Sequence, residues 1–223
     1  MDHTFSTQYL RWYNKGEYLH RNTDPMEHIY YLQKGLAAVY RVTENGQDEI
    51  IRYVRTGTFI GAPALFTLTK GLADSDTSIR ACSDCKVYKI PFDHFLQTAR
   101  AHPAILEQII VELSLESRYF RLLMTYTAHH RTANALALLL TNLMEETDGQ
   151  LIISQYTTFT DMASYLKTHK ITVSRIIKKL TELGVLTKID GQLHVTDPAQ
   201  LEAYAHGQEL IYWDKKNAAS DAR

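Results

Sequence analysis

The 223-residue sequence predicts an α+β chain: an N-terminal β-roll, one long helix, and a C-terminal winged helix-turn-helix. Three observations carry this reading. The first hundred residues hold short runs rich in Val, Ile and Tyr, cut by Gly, Asn or Asp. From Ala104 to Asp148 the chain contains neither Gly nor Pro. Beyond that stretch, short helical patterns and a basic amphipathic one lead into a hairpin signal. Composition is that of an ordinary globular chain, 45% hydrophobic and 22% charged, long enough for one large domain or two smaller ones.

The N-terminal runs are HIYYLQKG, LAAVYRV, DEIIRYVRTG and CKVYKI, beginning at His28, Leu36, Asp48 and Cys85. Between the second and third stands Glu44-Asn45-Gly46-Gln47, and Asn-Gly supplies the positive φ angles of a tight hairpin turn. Short strands with turns this regular build a sandwich or roll, assigned to residues 1–101. Residues 102–130 are a helix and hinge, with Pro103 where a first turn tolerates it. Within it Leu106, Ile109, Leu113, Glu116, Phe120, Leu123 and Thr127 alternate by three and four, as a and d positions of a heptad do. Ile110, Leu115, Tyr119, Leu122 and Tyr126 lie on other faces. A helix apolar on two sides needs two partners. These are its own roll and the same helix of a second subunit, or else it is wholly buried in one monomer.

A break follows at His129-His130; neighbouring helical residues point about 100° apart, so the pair reads as a polar boundary and not a metal site. Residues 131–205 then carry the helix TANALALLLTNLMEE, the turn Thr147 to Gln150, a strand-like LIIS, and the short helix TDMASYLK with Thr160 as its N-cap. A helix over 169–183 and the hairpin VLTKIDGQLHVTD, turning at Asp190-Gly191, complete the wing. Residues 206–223 form an extension with a polar tail, and Leu201, Tyr204, Leu210 and Trp213 offer packing for one further helix.

The net charge is −1, so electrostatic affinity has to come from local segregation. From Tyr165 to Lys188 there are six Lys/Arg against one acid, Glu182. In a helix, Val173, Ile176, Ile177, Leu180 and Leu183 make one apolar stripe, with Lys170, Ser174, Arg175, Lys178 and Lys179 opposite. That frame sets the start of the second helix into the major groove of double-stranded DNA. Arg175 suits guanine O6 and N7; Thr172 and Ser174 suit phosphate or base edges; Lys170, Lys178 and Lys179 suit phosphates. His169 and Ile171 complete the candidate DNA-binding set.

From about Trp12 to Asp197 the chain resembles the Crp-Fnr superfamily of transcriptional regulators. HIYYLQKGLAAVYRVTENGQDEIIRYVRTGTFIGAPALF looks like that family's cyclic-nucleotide-binding-like β-roll, with Gly35, Gly46, Gly57 and Gly61 where its strands turn. SIRACSDCKVYKIPFDHF resembles the closing strands, and TVSRIIKKL the recognition helix. The resemblance implies a homodimer held by the long helix and a roughly palindromic promoter site, with RNA polymerase as a further partner. It also implies an effector pocket between roll and helix, near Gly61, Ala62, Asp76, Thr77 and Tyr119. The family's recognition arginine maps onto Arg175 and the preceding serine onto Ser174. Where members often carry glutamate this chain has Ile171, so its target differs from the family's common half-sites.

Cyclic AMP is not expected as effector. Gly61-Ala62-Pro63 lacks the ribose-binding carboxylate, and Asp76 in Ser75-Asp76 would repel a phosphate. Cys82 and Cys85 are the only cysteines, too few for a four-cysteine iron–sulfur cluster. Their C-x-x-C spacing leaves a redox pair open, with one packed thiol and one turn residue as the plainer reading. The fourteen tyrosines are ordinary sheet packing before they are an aromatic pocket. No metal or cofactor is expected, and no acid/base cluster or phosphate loop suggests catalysis. With no signal-like or membrane-length apolar run, the expected location is the cytoplasm and not a membrane. The rival reading is a thiol-redox or small-molecule sensing module with no DNA readout.

Overall fold

The computed structural model describes residues 5–43, 46, 48–68, 77–209 and 211. It resolves into two compact units, Met1–Glu116 and Ser117–Arg223.

In the first unit a single 3-10 turn, Thr7–Tyr9, leads into β1 (Leu10–Tyr13), β2 (Tyr18–His20), β3 (His28–Lys34), β4 (Leu36–Val42), β5 (Asp48–Arg55) and β6 (Thr58–Ile60). Then come α1 (Ala62–Leu68), β7 (Thr77–Ala81), β8 (Cys85–Pro91), α2 (Phe92–Ala101) and the start of α3 (Ala104–Ala128). Among the described residues the strands form two antiparallel sheets, ordered β1-β8-β3-β6 and β2-β7-β4-β5. The β4–β5 register runs from Leu36↔Arg55 to Val42↔Asp48, which is the hairpin that Asn-Gly predicted; Glu44, Asn45 and Gln47 lie outside the described residues.

The two-residue period of β3 explains the layering. Ile29 and Tyr31 join Phe59, Tyr88, Ile90 and the helical residues Phe95, Ile105 and Ile109 in one core. Tyr30 and Leu32 point the other way and join Leu19, Val54, Ile79 and Val87 in a second. The first sheet therefore lies between the second sheet and the helices. Helix α2 takes up residues that in sequence resemble the end of the closing strands, and it buries Phe95 and Ala99, four residues apart.

The second unit holds the rest of α3, then α4 (Thr132–Leu143), β9 (Met144–Thr147), β10 (Gln150–Ile153), α5 (Phe159–Tyr165), α6 (Lys170–Glu182), β11 (Leu186–Ile189), β12 (Gln192–Val195) and α7 (Pro198–Ala205). Its sheet is ordered β11-β12-β10-β9. Met144, Glu145 and Glu146, read from sequence as the end of a helix, pair with Ile153, Ile152 and Leu151 as a strand. Helix α4 is almost wholly buried, and its Asn134 Nδ2 donates to the carbonyls of Tyr204 and Glu209, each at 2.8 Å. Tyr126 Oη donates to the Ala205 carbonyl at 2.9 Å. These bonds anchor α7, which starts earlier than the sequence suggested and buries Leu201 and Tyr204 as expected. Leu210 and Trp213 lie outside the described residues. Among the described residues no helix is long and apolar enough to cross a membrane.

Candidate nucleic-acid interface

Helix α5 begins with a capping box. Thr158 Oγ1 accepts from the Asp161 N–H, and the Asp161 carboxylate accepts from the Thr158 N–H at 2.8 Å. Thr158, not Thr160, is therefore the N-cap. The helix stops at Tyr165, and Lys167 takes a positive φ of 52° so that the chain can turn into α6. Met162 and Ala163 are buried where α5 packs on α6.

The burial of α6 follows its predicted stripe. Val173, Ile176, Ile177 and Leu180 are inside, while Lys170, Ile171, Ser174, Arg175 and Lys178 are exposed. Thr172 and Lys179 are half-buried, and His169 is an exposed N-cap whose side chain makes no capping bond. Leu183, counted in the apolar stripe, is the C-cap and is 46% exposed. Glu182 stands at the far end of α6, 3.9 Å from Lys178 Nζ and 3.8 Å from Lys179 Nζ. Contacts of that kind in solvent are weak, and among the described residues Lys170 and Arg175, in the N-terminal turns of α6, have no ion-pair partner. The wing tip closes through Asp190 and Gly191 at φ 49° and 86°, the two positive angles of a type I′ turn, and Lys188 is exposed beside it.

In the first unit, Gly61, between β6 and α1, has φ 90°, and a Cβ there would sit 3.2 Å from the His28 carbonyl oxygen. Ala62 opens α1 and is buried; Thr77 opens β7 and is half-buried. Asp76 lies outside the described residues, and Tyr119 belongs to the second unit. At the head of α1 stand Gly61, Ala62 and Pro63, which carry neither a carboxylate nor a cation.

The C-x-x-C segment is a packed turn. Leu36 N–H donates to Ser83 Oγ, while Cys82 and Ser83 N–H both donate to the Leu36 carbonyl. Cys85 Sγ lies 3.3 Å from that carbonyl and 3.2 Å from the Ser83 carbonyl, fully buried. Burial pushes the Cys85 thiol up to about 11, away from the thiolate that redox exchange requires. Gly35 holds this arrangement: a Cβ there would be 2.5 Å from the Asp84 carbonyl oxygen and 2.9 Å from Cys85 Sγ.

The structure places the residues of the expected dimer row on α3 in different settings. Ile109 is 5% exposed in the roll's own core, Leu106 packs against the same core, and Glu116 Oε1 pairs with Arg52 Nε at 3.2 Å. Leu113 and Thr127 are exposed, while Phe120 and Leu123 are half-buried. Along α3 the apolar side chains most open to solvent are Met124, Ile110, Leu115 and Val111. A polar strut that the sequence reading missed lies beside the helix. Glu112 accepts from the Phe59 N–H at 3.0 Å and from Gln108 Nε2 at 2.6 Å, and Gln108 Nε2 also donates to the Gly57 carbonyl. The signal for it was the polar row Gln108, Glu112, Glu116 at a spacing of four. No cluster of three or more metal-ligating side chains occurs among the described residues.

Comparison with known proteins places matches over both units. A family model described as the cyclic nucleotide-binding domain matches residues 10–102, and one described as the Crp-like helix-turn-helix domain matches residues 131–204. The transcriptional activator protein FnrL of Cereibacter sphaeroides is 26% identical over 201 residues, 87% of this chain and 79% of that protein. The nitrogen fixation regulation protein FixK of Bradyrhizobium diazoefficiens is 26% identical over 197 residues, 86% of this chain and 80% of its own. The solved structure of FixK2 from Bradyrhizobium japonicum shares the fold with a TM-score of 0.67 at 17% identity, covering 87% of this chain and 96% of that one.

Proposed function

The chain belongs to the Crp-Fnr superfamily of transcriptional regulators, and we propose that it acts as a homodimer setting two copies of α6 on a pseudo-palindromic promoter site. The observation that carries this reading is the division of α6 into a buried aliphatic face and an exposed face bearing Lys170, Ser174, Arg175 and Lys178. Arg175 donates two hydrogen bonds to a guanine edge and fixes sequence. Thr172 and Ser174 support that register, while Lys170, Lys178 and Lys179 hold phosphates. Half-sites lie about one helical turn, roughly 34 Å, apart. The bound dimer then meets RNA polymerase at the promoter.

Dimerisation runs along α3 through Ile110, Leu113 and Met124, apolar and open in the single chain. An effector other than a cyclic nucleotide acts where the roll meets α3, at the Arg52–Glu116 pair and the Glu112–Phe59 bond. It changes how two α3 helices meet and so how the recognition helices are spaced. No step of this mechanism requires catalysis.

A salt series separates the roles on α6. Lys178→Ala is expected to weaken binding about equally on all sequences and to lower the salt slope by about 1, whereas Arg175→Ala loses about 1–3 kcal/mol on the preferred site. Equal losses on preferred and random DNA for both variants would reduce α6 to a charged face.

A further inference from the structure

We infer that Ile171 reads the methyl group of a thymine in the major groove, within two base pairs of the guanine read by Arg175. The inference rests on the proposed role of α6 as the recognition helix. Of the five aliphatic side chains in α6, four are buried, and Ile171 is 66% exposed. A single exposed aliphatic residue is common on protein surfaces. Three features set this one apart.

The first is its position. Ile171 lies in the first turn, on the exposed face it shares with Lys170, Ser174, Arg175 and Lys178. That cationic setting selects a polyanion as the occupant of the face, and the N-terminal part of such a helix is what enters the groove. The second is helix energetics. A β-branched residue is a weaker helix former than Ala, Glu, Lys or Gln, so an exposed isoleucine contributes little to the free protein. The third is edge chemistry. Isoleucine can neither accept from cytosine N4 or adenine N6 nor donate to guanine O6 or N7. The thymine 5-methyl is the apolar feature a base presents in the major groove.

Spacing limits where that thymine lies. Ile171 and Arg175 are four residues apart, about 6 Å along the helix axis, which corresponds to no more than about two base steps. The half-site therefore pairs one guanine with one thymine close by.

Replacing thymine by deoxyuridine removes the methyl and leaves every hydrogen-bonding group in place. On a site selected from genomic fragments, each thymine of the half-site is replaced in turn, and binding is measured for wild type, Ile171→Ala and Arg175→Ala. One thymine near the guanine should lose about 4-fold in wild type, the worth of one buried methyl group. Ile171→Ala should lose a similar factor or more on the thymine site and be indifferent to the replacement. Arg175→Ala, retaining Ile171, tests sequence reading as a whole. If wild type binds a specific site but tolerates deoxyuridine at every position, or if Ile171→Ala still responds to it, the inference fails while the DNA-reading role stands. If no sequence preference is found, or Arg175→Ala leaves it intact, that role fails and the inference falls with it.

Discussion

At Glu112 a carboxylate is held between a strand backbone and its own helix, accepting from Phe59 and Gln108. Burial raises its pKa above the ordinary value of 4.5, against the pull of those donors and of Arg52. The folded chain thus holds this proton more tightly than the unfolded chain does. The group's contribution to stability is fully present below about pH 4.5 and is lost as pH rises through the raised value. Glu112→Gln should remove that dependence, so melting temperatures from pH 5 to 8 should shift in the variant's favour as pH rises. A constant difference between variant and wild type across the range would show that the carboxylate is not strained by burial. Cys85 is the other residue whose environment limits its chemistry. Its buried thiol packs under Gly35 as part of a turn, so the C-x-x-C spacing has a structural explanation.

Among the elements, α3 separates what spacing reveals from what it leaves open. The alternation by three and four shows that the helix is apolar on more than one side, yet it does not say which side meets which partner. The structure gives Leu106, Ile109 and Glu116 to the roll, and an ion pair at Glu116 is the kind of contact an a/d row would not make. Solvent-exposed Ile110 and Met124 lie fourteen residues apart, two heptads on a neighbouring row. Ile110→Glu should therefore give a folded monomer in sedimentation experiments, and a persistent dimer would place the interface elsewhere. The β4–β5 pairing, the basic helix and the Asp190-Gly191 wing were legible because turn chemistry and hydrophobic period agree there. Two elements were not. Strand β9 follows α4 with no Gly or Pro between them, and Met and Glu are good helix formers. Helix α2 follows β8 at once, and its Phe95/Ala99 spacing is short enough to be read into the strands.

For the whole molecule, a net charge of −1 excludes a general attraction to polyanions, so binding must concentrate where α6 and the wing carry exposed Lys170, Arg175, Lys178 and Lys188. A dimer doubles that surface and fixes its spacing, turning a local patch into a test of two half-sites at once. Similarity to FnrL and FixK spans most of this chain and of each relative, consistent with one regulator architecture throughout. The most direct measurement is selection of genomic DNA fragments by the purified, reduced protein, with Arg175→Ala in parallel. Enrichment of a pseudo-palindrome with half-sites about one helical turn apart, lost in the variant, is the expected result. Salt-sensitive capture of fragments with no shared sequence, or a motif that Arg175→Ala enriches equally, would contradict it.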